Sequence, residues 1–291
     1  MTIPKFFLPS RPDVTVQFIR PDLASAMYFC KSKDFTEERD TTEYLSRHQE
    51  KENRLDPRNW TASDRRTALW WIYINSNALP VQDYGYVCGH CGEQHWNNVN
   101  MHDLGDELNV LAVEPHIQAT VTVKGKPVDW LLKPLDGHAM ERLERMRQML
   151  PPRSKEDDWK QAVAELRVWE LTYQAHLFYD LEPDYDKSAQ TRYDLITQME
   201  LGTELVELAA RVRMMQEELQ HGLNVMLDKG ESMLILPPHQ CPSEAFKEAA
   251  ERPSTRLLVP FRNSQFIPNI GTGQLADISQ QPGLVWASTH G

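Results

Sequence analysis

Residues 88 to 92 read Cys-Gly-His-Cys-Gly, set between two segments that alternate apolar and polar residues, VQDYGYVC before and QHWNNVNMHDL after. A Cys-x2-Cys spacing puts two sulfurs on one side of a tight turn, and the glycine after each cysteine lets the backbone bend that sharply. Alternation on both flanks predicts strands. The pattern therefore predicts a β-hairpin with two thiols at its tip, one half of a tetrahedral zinc site. His95 and His102, downstream on the second strand, complete the first candidate set of Cys88, Cys91, His95 and His102. His116, at the start of the next predicted strand, is a further donor, and His239 with Cys241 from the C-terminal region is the alternative pair. His90 lies inside the turn and points outward. Because a second Cys pair is missing, one structural Zn2+ and a metal-free turn both remain open readings.

A catalytic zinc site needs three protein ligands and a nearby general base in a cleft. Neither H-E-x-x-H nor the H-x-E…C-x-x-C deaminase pattern occurs, and a C-x-x-C on a hairpin is not at a helix N-terminus, where a redox pair is activated. G-x-S-x-G, the P-loop and the Rossmann fingerprint are also missing. Glu156, Asp157 and Asp158 fall in a helix first turn, where they complement the macrodipole. The sequence predicts no active site.

Charge narrows the partners. The 291 residues carry 42 acids against 31 lysines and arginines, a formal charge of −11. Such a surface repels phosphate backbones, and basic stretches such as RLERMRQ (142–148) are interleaved with acids at helical spacing. Nucleic acid is disfavoured as a partner. No run of 18 apolar residues predicts a membrane span, and the N-terminus lacks the apolar segment of a signal peptide, so a soluble, intracellular protein is expected. Four scattered cysteines suit a reducing compartment rather than a disulfide framework.

The expected fold class is α+β. DVTVQFIRPDL (13–23) predicts a first strand, and Asp22 caps a helix that turns Leu23, Met27 and Cys30 inward, with Cys30 as a small buried apolar residue. Residues 36–60 read as helix fading into an exposed loop. TASDRRTALWWIYINSNALP (61–80) is a helix capped by Ser63 or Asp64, with Leu69, Ile72, Tyr73 and the Trp70-Trp71 pair in the core. After the Cys-tipped hairpin, HIQATVTV and KPVDWLLKPL flank a KGK turn as a second hairpin, and residues 136–150 form a helix that stops at Pro151-Pro152.

The chain therefore divides into an α+β domain (1–150), a long amphipathic helical hairpin (151–230) and a short strand and helix with an extended tail (231–291). The hairpin joins residues 155–181 to a helix from Thr191 to Lys229, about 55 Å long. In the latter Leu205, Leu208, Val212, Met215, Leu219, Leu223 and Met226 make a near-heptad, coiled-coil-like seam. That seam either packs within the hairpin or meets a partner helix, and Met214, Met215 and Met226 suit an adaptable contact surface or a homo-oligomer. SEAFKEAAE (243–251) predicts a small helix, STRLLVPF an edge strand, and residues 269–291 an aperiodic tail that docks elsewhere.

The order of these elements resembles the baseplate-hub assembly family of T-even-type contractile-tailed bacteriophages over residues 1 to about 150. FLPSRPDVTVQF matches the family's LP before a first strand, LWWIYINSNA its apolar helix, Tyr86, Cys88 and Cys91 its Y-x-C-x-x-C turn, and NVNMHDL (98–104) its N-x-x-DL-like end. The helical second half, the long tail and the charged stretch 39–60 depart from the compact family pattern. The resemblance implies a non-enzymatic role in virion morphogenesis, as hub component or tail-assembly chaperone. Its partners would be tail, baseplate or tape-measure proteins, met in the host cytoplasm during assembly or retained in the virion tail. The competing readings are a zinc-ribbon-like nucleic-acid-associated or regulatory module and a metal-dependent hydrolase.

Overall fold

The computed structural model describes residues 2–30, 35–228, 231–243 and 253–268, and the fold is α+β. The chain opens with a tight antiparallel pair, β1 (Phe6–Leu8) and β2 (Arg11–Val16), whose register shifts between Phe7 and Leu8. Asp22 caps α1 (Leu23–Phe29) by accepting the Ser25 backbone N–H at 2.8 Å. The helix is rotated from the expected orientation. Ala26 and Phe29 are buried, whereas Leu23, Met27 and Cys30 are exposed. This short helix of seven residues is anchored by its one buried aromatic, Phe29, edge-on to Tyr44 at 5.3 Å.

The stretch expected to fade into an exposed loop is partly core. α2 (Glu37–Arg47) buries Tyr44 and Leu45, and a 3-10 turn at Pro57–Asn59 delivers Trp60 to the interior. α3 (Ala62–Ser76) is capped by Thr61, two positions before Ser63 and three before Asp64. Thr61 accepts the Asp64 N–H while the Asp64 carboxylate accepts the Thr61 N–H, a reciprocal capping box. Trp70 and Trp71 are core-facing: their indole N–H groups donate to the Met101 and Pro4 carbonyls. The Cys hairpin follows, β3 (Val81–Val87) against β4 (Gln94–Asn100) in unbroken register from Val81↔Asn100 to Val87↔Gln94. A 3-10 turn, Met101–Glu107, closes its base.

From residue 111 to 219 the chain builds a second core. β5 (Ile117–Val123) and β6 (Lys126–Leu132) pair through a turn in which Lys124 and Gly125 both take positive φ, the geometry of a twist-matched two-residue hairpin. α4 (Gly137–Gln148) is capped by Asp136, and α5 (Glu156–Thr172) ends earlier than expected. Its last stretch becomes β7 (Ala175–Leu177), a third strand beside β6. α6 (Tyr185–Ile196) packs against α5, so a helical pairing exists here, though shorter than the periodicity predicts.

The long helix expected over 191–229 is several pieces. α6 stops at Ile196, a π turn spans Leu201–Leu205, α7 runs Val206–Glu218, and β8 (Val225–Asp228) follows. The seam is nonetheless apolar and buried: Leu208, Val212, Met215 and Leu219 lie on the β5–β6 sheet beside Val121, Val123, Trp130 and Leu132. A flat sheet face therefore meets the ridge that heptad spacing would offer to another helix.

The returning segment rejoins the first core. β9 (Glu231–Ile235) is central between β8 and β12 (Leu258–Pro260), and β10 (His239–Gln240) pairs with β11 (Ser254–Thr255). Leu223, Leu234, Leu236, Phe261, Phe266 and Ile267 pack with Phe6, Phe18, Tyr44, Trp60, Leu69 and Ile72 in one cluster. The chain leaves and re-enters that core at neighbouring points, because Asn109 and Gly222 exchange both backbone hydrogen bonds, 3.0 and 2.7 Å. The cores thus do not follow the chain order in which the sequence divides at 150 and 230. The predicted helix over 243–251 and the tail from 269 lie outside the described residues, the first apart from Ser243. No helix among the described residues is long and apolar enough to cross a membrane.

Candidate metal centre

Cys88 follows the last residue of β3, where its N–H donates to the Glu93 carbonyl at 2.9 Å and its carbonyl accepts from Gly92 at 2.8 Å. Gly92 takes φ +75°, a conformation that strains any residue with a Cβ, which is why a glycine follows the second cysteine. Closing the turn this way aims the backbone N–H groups of Cys91 and His90 at the Cys88 sulfur, and they hold its thiol below the ordinary cysteine range. His90 is exposed and contributes only that N–H.

Three of the expected donors meet a fourth from 150 residues away. The sulfurs of Cys88, Cys91 and Cys241 and a ring nitrogen of His95 all lie within 4.8 Å of one another. Cys88 Sγ stands 3.5 Å from Cys241 Sγ, which is 3.7 Å from Cys91 Sγ, and Cys91 Sγ is 3.1 Å from His95 Nε2. Sulfurs bound at about 2.3 Å around a tetrahedral ion stand about 3.8 Å apart, so the two sulfur–sulfur spacings fit a single zinc-sized centre. The donor set is Cys3His, chemistry that selects a thiophilic cation over Mg2+ or Ca2+.

His102 is not part of the set. It is exposed in the 3-10 turn at the base of the hairpin, and the seven residues from His95 to His102 carry it about 20 Å from the tip at strand rise. His95 faces Tyr86 near the tip, so it can reach the sulfurs and His102 cannot. His116 is likewise outside the cluster.

The alternative pair from the C-terminal region is half right. Cys241 enters at the end of β10, fixed by its own N–H on the Pro253 carbonyl at 3.0 Å, and the Ser243 N–H donates to its sulfur. His239 stays outside the cluster and braces it. One ring nitrogen is 2.7 Å from the Tyr86 hydroxyl, the other 3.3 Å from the Asn97 amide, and the ring stands edge-on to Tyr86. Tyr86 also packs beside the His95 ring, so the same phenol contacts both sides of the junction. Cys88 and Cys241 are buried, Cys91 and His95 partly so. Burial and the neighbouring thiols push Cys241 up to about 11, opposite to Cys88. Packed sulfurs resist a second negative charge.

A second polar grouping lies deeper. Ser10 donates through N–H and hydroxyl to Asp64 at 2.9 and 2.5 Å, and His221 sits 2.6 Å from the Thr61 hydroxyl. All four residues are buried, and they join the β1–β2 turn, the start of α3 and the return at Gly222. Buried together, they tie these three segments to one another.

Compared with protein-family models, with curated proteins and with solved structures, the chain matches none.

Proposed function

We propose that the chain is a non-enzymatic assembly protein of the contractile-tailed phage kind, acting through protein–protein contacts, with one structural Zn2+ held by Cys88, Cys91, His95 and Cys241. The observation that carries this reading is the closed donor set: three sulfurs and one imidazole nitrogen within 4.8 Å. Four protein donors fill a tetrahedral sphere and leave no position for a water or substrate. A dication there would also relieve the crowding of sulfurs, drawing off the protons that burial keeps on Cys241.

The hub-assembly part of the reading is supported by the order of motifs over residues 1 to about 150, including the Tyr86-x-Cys88-x2-Cys91 turn. Contact surface is at hand on the same hairpin. Its outer face carries Val87 and Trp96, the latter 69% exposed and lying over Gly85. Residues 81–100 contain no lysine or arginine. A stacking aromatic without cations suits a protein partner better than a nucleic-acid strand.

Two measurements test the proposal. Metal analysis of the purified full chain should give one zinc per chain, lost in Cys88→Ser. Co-expression with the tail, baseplate and tape-measure proteins of a contractile-tailed phage should yield a stable complex. Hydrolytic turnover that depends on the bound metal, or the failure of every such tail protein to associate, would overturn it.

A further inference from the structure

Among the described residues two arginines are almost fully buried, and the fold treats them differently. Arg65, 1% exposed, meets the Glu38 carboxylate at 3.0 Å, the Glu38 carbonyl at 2.7 Å and the Thr42 hydroxyl at 2.8 Å. Arg192 in α6 is equally buried, yet among the described residues no carboxylate oxygen lies within 4.0 Å of it. Its one hydrogen bond runs from Nη1 to His176 Nδ1, and its Nε has no partner. His176 cannot balance the charge. Its Nε2 is 3.2 Å from the Tyr173 carbonyl, which makes Nε2 the donor and Nδ1 a lone pair. Burial and the neighbouring Arg192 and Lys133 push its pKa down to about 3, so the ring is neutral. The nearby Asp180 is engaged elsewhere, accepting from the Ser188 hydroxyl and the Glu182 N–H. Asp180 and Asp136 act on the guanidinium only from a distance, and a buried polar group without a direct partner asks for one.

The partner has a place. A cleft of about 300 Å³ lies between β6, β7 and α6, lined by Arg192, Lys133 and His176 together with Leu131, Phe178 and Tyr185. Lys133 also has no carboxylate within 4.0 Å among the described residues, and burial lowers its pKa.

We propose that this cleft is a binding site for a small monocarboxylate with an apolar or aromatic body, its oxygens taken by Arg192 and Lys133. Guanidinium geometry matches a planar carboxylate. Asp180 and Glu182 also line the cleft without touching either cation, and their repulsion favours a single negative charge over the two of phosphate. Leu131, Leu177 and Phe178 supply the apolar walls that small-molecule sites use for most of their contact area. The site is independent of the metal centre.

Titration of the full chain with benzoate, benzamide and inorganic phosphate, followed by backbone amide chemical shifts, tests it. Benzoate should bind saturably with shifts around residues 131–133, 176–182 and 192, benzamide should not, and phosphate should bind at least about tenfold more weakly. Arg192→Lys and Lys133→Met should each weaken benzoate by about tenfold, the scale of one charge-assisted contact. Lys133 is only half-buried, so Lys133→Met remains decisive if Arg192→Lys does not fold. Equal binding of benzoate and benzamide, tighter binding of phosphate, or benzoate shifts unchanged in Lys133→Met would overturn the assignment.

Discussion

At the residue scale, single atoms decide which donors count. Cys241 is the fourth clustered donor because its N–H is pinned to Pro253 and its sulfur lands between those of Cys88 and Cys91. Cys241→Ser should abolish stoichiometric zinc binding and lower the thermal midpoint, while His102→Ala should leave both unchanged; metal analysis with thermal melts checks the pair. Glycine makes an equally local demand at the return to the first core. Gly222 takes φ +75°, and a Cβ there would fall 2.4 Å from Thr67 Oγ1 and 3.1 Å from the Ser63 carbonyl. Gly222→Ala should cost about 2 kcal/mol or more from strain and overpacking. Gly89→Ala, with nothing within 4 Å of its Cβ, should cost less than about 0.5 kcal/mol. Urea midpoints separate the two. The Cys-x2-Cys turn was legible from its residues because the geometry it needs is local. Arg192 was not, since a lone arginine in a polar helix reads as solvated until its neighbours Ala189 and Ile196 prove to be buried with it.

At the element scale, the contact between α2 and α4 carries a titratable group. Glu144, buried on α4, accepts the N–H of Glu38 at 2.9 Å and lies 3.5 Å from that of Arg39, capping the first turn of α2 in place of Thr36. Burial pushes its pKa up to about 7, with Glu38 and Asp40 adding repulsion and the two N–H groups pulling it back down. The folded state then keeps a proton that the unfolded chain, near 4.5, has released. Stability contributed by this group therefore falls as pH rises from 4.5 to 7 and stays low above that window. Between pH 5 and pH 8 the loss should be about 1–3 kcal/mol; Glu144→Gln should lack it, so that the wild-type-minus-variant difference in urea unfolding reports it. The two hairpins and the α1 cap followed from alternation, turn glycines and Asp22. The long helix did not. A heptad-like row of Leu208, Val212, Met215 and Leu219 fits a sheet face as well as a partner helix, and periodicity carries no information on which it meets.

At the scale of the whole molecule, the proposed zinc would clasp the β3–β4 tip to the segment that returns from the second core. Linking Cys91 to Cys241 spans 150 residues, a restriction of the unfolded chain of about 5 kcal/mol in chain-entropy terms. Chelation should therefore loosen a defined region. Hydrogen exchange should speed up at 86–97 and 239–241, while amides of β5–β7 keep their protection; uniform acceleration would mean the ion holds the whole fold. The amino-acid order by itself determined the α+β class, the two hairpins, the Asp22 cap, and three of the four clustered donors, all set by interactions within about ten residues along the chain. Only the tertiary structure decided that Cys241 rather than His102 closes the donor set, that the seam lies on β5–β6, and that residues 223–267 share a core with residues 3–104. Those outcomes depend on contacts between segments more than a hundred residues apart, or on the choice between equally apolar surfaces, and neither leaves a period or a spacing in the sequence.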